Sequence, residues 1–211
     1  MIKKILIITL ALSLLLGIVA PTFANTTNTG CEHGFSDIVG HWAEDSICEL
    51  FESGVIEGYS AYNFSPNSPM TRAEFVKVLL ESMNYNVYSV QSASFTDTIP
   101  GEWYYSYVTF AHSKGFVSGY SDGSFHPNSS ITRAEAITLL VNLAGFTGYD
   151  TSDLGHQFTD VTANDWFAVP LAVSLNYGLI EGYGDGSFRP NSSISRAEAC
   201  IIIARTLEAL Y

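Results

Sequence analysis

Gly119-Tyr120-Ser121-Asp122-Gly123-Ser124-Phe125-His126-Pro127-Asn128-Ser129-Ser130-Ile131-Thr132-Arg133-Ala134-Glu135 is the stretch from which the rest of the 211-residue chain can be read. Its Asp-Gly pair suits a turn with positive φ, and Thr132-x-x-Glu135 has the spacing of a helix capping box. In that device the hydroxyl accepts from the backbone N–H three residues on, and the Glu reaches back to the cap residue's own N–H. The residues beyond, Ala136 to Leu143, are apolar almost all round. A helix of that kind needs cover on most sides.

The same pattern stands twice more. Gly58-Tyr59 and Gly182-Tyr183 match Gly119-Tyr120; Phe64-Ser65-Pro66-Asn67 and Phe188-Arg189-Pro190-Asn191 match Phe125-His126-Pro127-Asn128; Thr71-Arg72-Ala73-Glu74 and Ser195-Arg196-Ala197-Glu198 match the capping box. Upstream, each copy opens on Phe35-Ser36-Asp37, Phe95-Thr96-Asp97 or Phe158-Thr159-Asp160, followed by Trp42, Trp103 or Trp166. Offsets between successive copies are 61 and 63 residues for both Trp and Arg, and the three Trp of the chain all occupy one repeat position. Internal repetition therefore organises the molecule. After the Trp, Ala43, Ile47, Leu50 and Phe51 recur at i, i+4, i+7 and i+8, which predicts an amphipathic helix. Gly54, Gly115 and Gly178 are placed to end these first helices in a left-handed conformation. Each copy thus reads as helix, turn-rich loop, helix, and the expected fold is mostly α. A unit of ~50 residues buries too little surface to stand alone, so the three should pack into one domain. Their connections, Tyr85 to Ser94 and Thr147 to Gln157, read as short and polar.

In this order and number, the F-x-D, Trp, G-Y-x-D-G-x-F-x-P and T-R-A-E elements resemble surface-layer homology (SLH) repeats, from Phe35 to Tyr211. The units are then 35–84, 95–146 and 158–211. The resemblance implies a pseudo-threefold, three-pronged helical domain. It also implies non-covalent attachment to secondary cell-wall polysaccharide, often bearing pyruvylated sugars, at a bacterial cell surface or S-layer.

Lys3 and Lys4 precede an apolar run from Ile5 to Val19, and Pro21-Thr22-Phe23-Ala24 follows with small side chains at the two positions a signal peptidase reads. Residues 1–24 read as a secretory signal peptide and 25–34 as a short leader, with no membrane span expected once the signal is removed. A net charge of −12, from 21 acidic against 9 basic residues, argues against nucleic acid as a partner, because neutralising phosphates takes a basic stripe. Three cysteines are too few for a disulfide framework and lack zinc spacing; a Cys31–Cys48 bridge is compatible with an oxidising compartment. The five His are scattered, the Asp-Gly-Ser turns lack the acid density of a calcium loop, and no cofactor or metal is expected.

Candidate binding residues follow from the triplication. Arg72, Arg133 and Arg196 stand one residue inside a helix N-terminus, where free backbone N–H groups and the helix dipole favour an anion. Their planar fork matches a carboxylate in two hydrogen bonds. Two partners are open to them: an internal acid such as the Asp of F-x-D, or a ligand, for which the resemblance suggests the carboxylate of a pyruvate acetal. Trp42, Trp103 and Trp166 suit either stacking on a pyranose ring or core packing. Asp37, Asp97 and Asp160 suit sugar hydroxyls or helix capping. Gly58, Gly119 and Gly182 suit close backbone approach to a sugar or the turn itself, and Tyr59, Tyr120 and Tyr183 suit packing. In the first copy Ala61-Tyr62 replaces Asp-Gly, which puts that groove wall in doubt. Recurrence of every polar candidate in triplicate argues for a multivalent binder and against an enzyme, whose constellation should occur once. The competing reading is a surface protein-interaction or structural module without a carbohydrate ligand.

Overall fold

A computed structural model describes residues 34–88, 90, 95–147, 150–152 and 154–211. The expected signal peptide, nearly all of the leader and Cys31 lie outside them. Cys48 is disulfide-bonded and Cys200 is a buried free thiol. Seven helices are found: α1 (Glu44–Glu52), α2 (Arg72–Ser82), α3 (Tyr105–Ser113), α4 (Arg133–Ala144), α5 (Leu154–Gln157), α6 (Ala168–Asn176) and α7 (Arg196–Leu210), with isolated β-bridges among the described residues. No helix among them is long and apolar enough to cross a membrane.

Local signals behave as the sequence predicts. Both halves of the capping box form at α2, α4 and α7, through Thr71 and Glu74, Thr132 and Glu135, and Ser195 and Glu198. Gly54, Gly115 and Gly178 take φ of 75°, 74° and 67° just past α1, α3 and α6. One connection differs from expectation. Leu154 is buried and starts the single turn of α5, so the stretch before the third repeat is anchored to the core.

The two helices of a repeat are not each other's principal partners. Instead α3 packs on α2, α6 on α4, and α1 on α7, so the first helix of each repeat lies against the second helix of the preceding one, the last closing onto the first. The second helices α2, α4 and α7 also meet one another. Their entrances are joined by a ring of three backbone hydrogen bonds: Met70 N–H donates to Ile194 C=O at 3.1 Å, Ile194 to Ile131 at 3.0 Å, and Ile131 to Met70 at 3.0 Å. All three residues are fully buried.

The turn before each second helix is held by the F-x-D carboxylate. Asp37 accepts from the N–H of Phe64 and Ser65, Asp97 from Phe125 and His126, and Asp160 from Phe188 and Arg189, at 2.7–2.9 Å. The second residue of each pair sits in the left-handed region, at φ 61°, 56° and 57°, directly before a proline. That conformation is costly for a side chain bearing a Cβ, and a carboxylate on two successive N–H groups compensates it. These acids cap no helix: Ala43, Tyr104 and Phe167 are the N-caps of α1, α3 and α6, without a side-chain cap bond. In the first repeat, where Ala61-Tyr62 replaces Asp-Gly, the turn keeps its tie to F-x-D. Ser36 N–H donates to Tyr62 C=O at 3.0 Å, as Thr96 and Thr159 do to Gly123 and Gly186.

Asp160→Ala should lower stability by about 2–4 kcal/mol, since it strands two backbone N–H groups and leaves the left-handed Arg189 unsupported. Calorimetry should record a melting temperature lower by roughly 5–15 °C, with Asp160→Asn falling between; an unchanged melt would show that the carboxylate does not hold the turn.

Candidate functional site

The N-termini of α2, α4 and α7 are where sequence and structure part company. At α2 the N–H of Arg72 donates to Ser129 C=O at 2.9 Å and that of Ala73 to Pro127 C=O at 3.0 Å. Glu74 N–H is taken by the Thr71 hydroxyl, and Thr71 N–H by the Glu74 carboxylate. The same exchange runs from α4 to Ser192 and Pro190, and from α7 to Ser68 and Pro66. These helix entrances therefore offer no free N–H groups to an anion. Their donors are spent on the carbonyls of the next repeat.

The arginine side chains go the same way. Arg72, Arg133 and Arg196 are each 4% exposed. Their Nε donates to the carbonyl of Phe125, Phe188 and Phe64 at 2.9–3.0 Å. Each guanidinium lies between two rings of the next repeat: Tyr120 and Phe125, Tyr183 and Phe188, Tyr59 and Phe64, with centroids 4.4–4.9 Å away. A buried cation needs such compensation. Two of the three also meet a carboxylate, which is the capping-box Glu of the next repeat and not the F-x-D Asp: Arg72 Nη1 to Glu135 at 3.0 Å and Arg133 Nη1 to Glu198 at 3.2 Å. The Tyr120 hydroxyl donates to the same Glu135 carboxylate, and burial together with that bond pushes the phenol up to about 12. Burial opposes ionisation of Glu135, but hydrogen bonds from Thr132 and Tyr120 and the charge of Arg72 outweigh it and hold the carboxyl below its ordinary value.

Each of these arginines also lines an open groove, and three corresponding grooves result. The Arg72 groove, of about 490 Å³, is walled by Gly119, Tyr120 and Glu135 of the second repeat and by Trp166 of the third. The Arg133 groove, of about 350 Å³, is walled by Gly182, Tyr183 and Glu198 of the third repeat and Trp42 of the first. The Arg196 groove, of about 350 Å³, is walled by Gly58, Tyr59 and Glu74 of the first repeat and Trp103 of the second. Each groove draws on all three repeats. The tryptophans are 63%, 49% and 65% exposed at positions 42, 103 and 166, so their faces are available and they are not core residues.

The remaining candidates divide. Asp37, Asp97 and Asp160 are not brought into these grooves; Asp97 lies instead in a separate surface hollow beside His126. Gly58, Gly119 and Gly182 do line the grooves, but a Cβ there would meet the ring of Phe35, Phe95 or Phe158 at 2.2–2.4 Å. Packing alone therefore requires glycine. Sequence reasoning passed over Tyr59, Tyr120, Tyr183 and the capping-box Glu as groove walls, although their triplication carried the signal. Among the described residues no group of His, Cys, Asp or Glu is placed to hold a metal.

Comparison with known proteins accords with this repeated architecture. The S-layer homology domain matches residues 34–76, 94–137 and 157–200. Similar proteins include the S-layer protein of Bacillus licheniformis, 30% identical over 97% of this chain and 22% of that protein, and the S-layer protein sap of Bacillus anthracis, 27% identical over 97% and 24%. Amylopullulanase of Thermoanaerobacterium thermosulfurigenes is 32% identical over 82% of this chain, but over 9% of its own length. The chain thus spans less than a quarter of the length of these curated relatives, and its likeness to the enzyme is confined to the repeats. Matched over more than half its length, the chain belongs to the S-layer homology domain family.

Proposed function

We propose that this chain binds anionic, pyruvylated secondary cell-wall polysaccharide in its three grooves, a carboxylate meeting a guanidinium edge and a pyranose face meeting a tryptophan. Family membership and the S-layer relatives make it a secreted cell-surface module of the wall-anchoring kind. The carrying observation is the threefold recurrence of one lining: a buried Arg from one repeat, Gly and Tyr from the next, and an exposed Trp from the third. Carbohydrate C–H groups pack on large aromatic faces, and a bidentate guanidinium contact is specific for planar carboxylates.

Weak grooves suffice if they engage one repetitive polymer, because the second contact is made at high effective concentration. No catalytic constellation is needed for that, and the triplicated groove is a binder's arrangement.

Co-sedimentation with purified walls should retain the wild-type chain and lose it after chemical removal of the pyruvate acetals or of the polysaccharide. Retention on stripped walls would instead establish the protein-interaction reading. Combining Trp42→Ala, Trp103→Ala and Trp166→Ala should leave the melting temperature nearly unchanged, since all three rings are exposed. The same triple variant should weaken wall binding by roughly 100-fold or more through lost stacking and avidity; undiminished binding would remove the grooves from the mechanism.

A further inference from the structure

The three grooves are not equivalent, and the difference lies at the guanidinium. In the Arg72 and Arg133 grooves Nη1 is occupied by a protein carboxylate, at 3.0 Å from Glu135 and 3.2 Å from Glu198. In the Arg196 groove the corresponding Glu74 carboxylate keeps the bonds to its own cap, from the N–H of Thr71 at 2.8 Å and from the Thr71 hydroxyl at 2.9 Å, but lacks the ion pair that Glu135 and Glu198 add with the groove arginine. Arg196 donates from Nε to Phe64 C=O and from Nη2 to Glu57 C=O, and among the described residues no carboxylate lies within ion-pair distance of it. Arg196, 4% exposed and lining the groove, thus keeps an Nη1 without a hydrogen bond or ion pair among the described residues.

We infer that the Arg196 groove, walled by Trp103, Tyr59 and Lys77, is the primary site for the ligand carboxylate, and that the Arg72 and Arg133 grooves are secondary. The inference rests on the carboxylate reading of the preceding section. A ligand carboxylate entering either of the latter two must share its guanidinium with a glutamate a few ångströms away. Like charges at that range in a half-buried site oppose one another by enough to weaken binding about tenfold or more. In the Arg196 groove no such pair at the guanidinium has to be shared or broken; Lys77, itself paired with Glu81 at 3.5 Å, stands on the wall as Arg205, paired with Glu181, does in the Arg133 groove. This reverses the expectation drawn from Ala61-Tyr62: the copy with the irregular turn walls the groove best prepared for an anion.

The three indoles, one per groove, supply the test. Full-length mature protein labelled with nitrogen-15 is titrated with a monosaccharide carrying a cyclic pyruvate acetal, and with its methyl ester as the uncharged control. Trp→Phe substitutions assign the indole N–H resonances. The Trp103 signal should titrate with a dissociation constant at least about tenfold below those of Trp166 and Trp42, and the ester should shift none of them comparably. Glu135→Gln keeps the cap, since Gln serves in a capping box, and should bring Trp166 into the Trp103 range; Glu198→Gln should do the same for Trp42. Simultaneous titration of all three indoles, earlier titration of Trp166 or Trp42, or no gain in either Gln variant would overturn the ranking while leaving the carboxylate reading intact. Acid and ester acting alike, or neither acting, would overturn that reading and the ranking with it.

Discussion

Burial of one repeat's guanidinium inside the next is the constraint on which this domain is built. Left in an apolar environment, such a charge would cost far more than a domain's net stability. Here it is compensated by a loop carbonyl and two aromatic faces, and in two copies by a glutamate. Everything that compensates it belongs to the following repeat. The same is true of the first backbone N–H groups of α2, α4 and α7, and of the Met70, Ile194 and Ile131 ring. Each repeat is therefore incomplete alone, and the set is completed only when the third closes onto the first. Removing one arginine would remove a positive charge and also strand the acceptors and rings arranged around it.

How much of this was legible in the sequence depends on the range of each interaction. Capping boxes, left-handed glycines and amphipathic helices are decided within a few residues, so a single copy reveals them. Triplication itself was plain from the motifs. What no single copy contains is the identity of the copy that supplies a partner. Arg133 reads alike whether it meets Asp97, Glu135 or Glu198; only the fold selects Glu198. The aspartates were legible as polar and repeated, yet their task is to hold a left-handed residue before proline, a conformation that sequence preference argues against. Glycine at 58, 119 and 182 looked like an accommodation to a ligand or a turn. The ring of the F-x-D phenylalanine, 23 or 24 residues upstream, already accounts for it.

In the proposed binding mode, folding and binding share the inner half of each groove, and this limits where its chemistry can vary. Arg, Gly, Tyr and the capping Glu are tied into the interface between repeats, so changing them endangers the domain. The outer half is free of that duty, and it is there that the copies differ. Ser118 stands where the other grooves have Glu57 and Glu181; Thr138 where they have Lys77 and Ile201; and Asn142 where the third repeat has Arg205. In the Arg133 groove Arg205 pairs with Glu181 at 3.2 Å, a contact that neither other groove repeats. One scaffold thus presents three differently furnished walls around a common cation.

Charge distribution completes the account. Arg72, Arg133, Arg196, Lys77 and Arg205 line the grooves, five of the nine basic residues of the chain, balanced there by five glutamates. The grooves are close to neutral in a molecule of net charge −12, so the strongly acidic surface lies elsewhere. Under the proposed reading, a polyanion approaching from solution would meet repulsion that is screened beyond ~8 Å at physiological ionic strength, and would gain only on reaching a groove. The long-range field would not speed such a first contact. With one groove engaged, the proposed polymer's remaining residues would be confined within reach of the other two, and the entropy of bringing them there would already be spent. Retention at the wall by this proposed mode would depend on polymer continuity and groove number more than on the strength of any single contact.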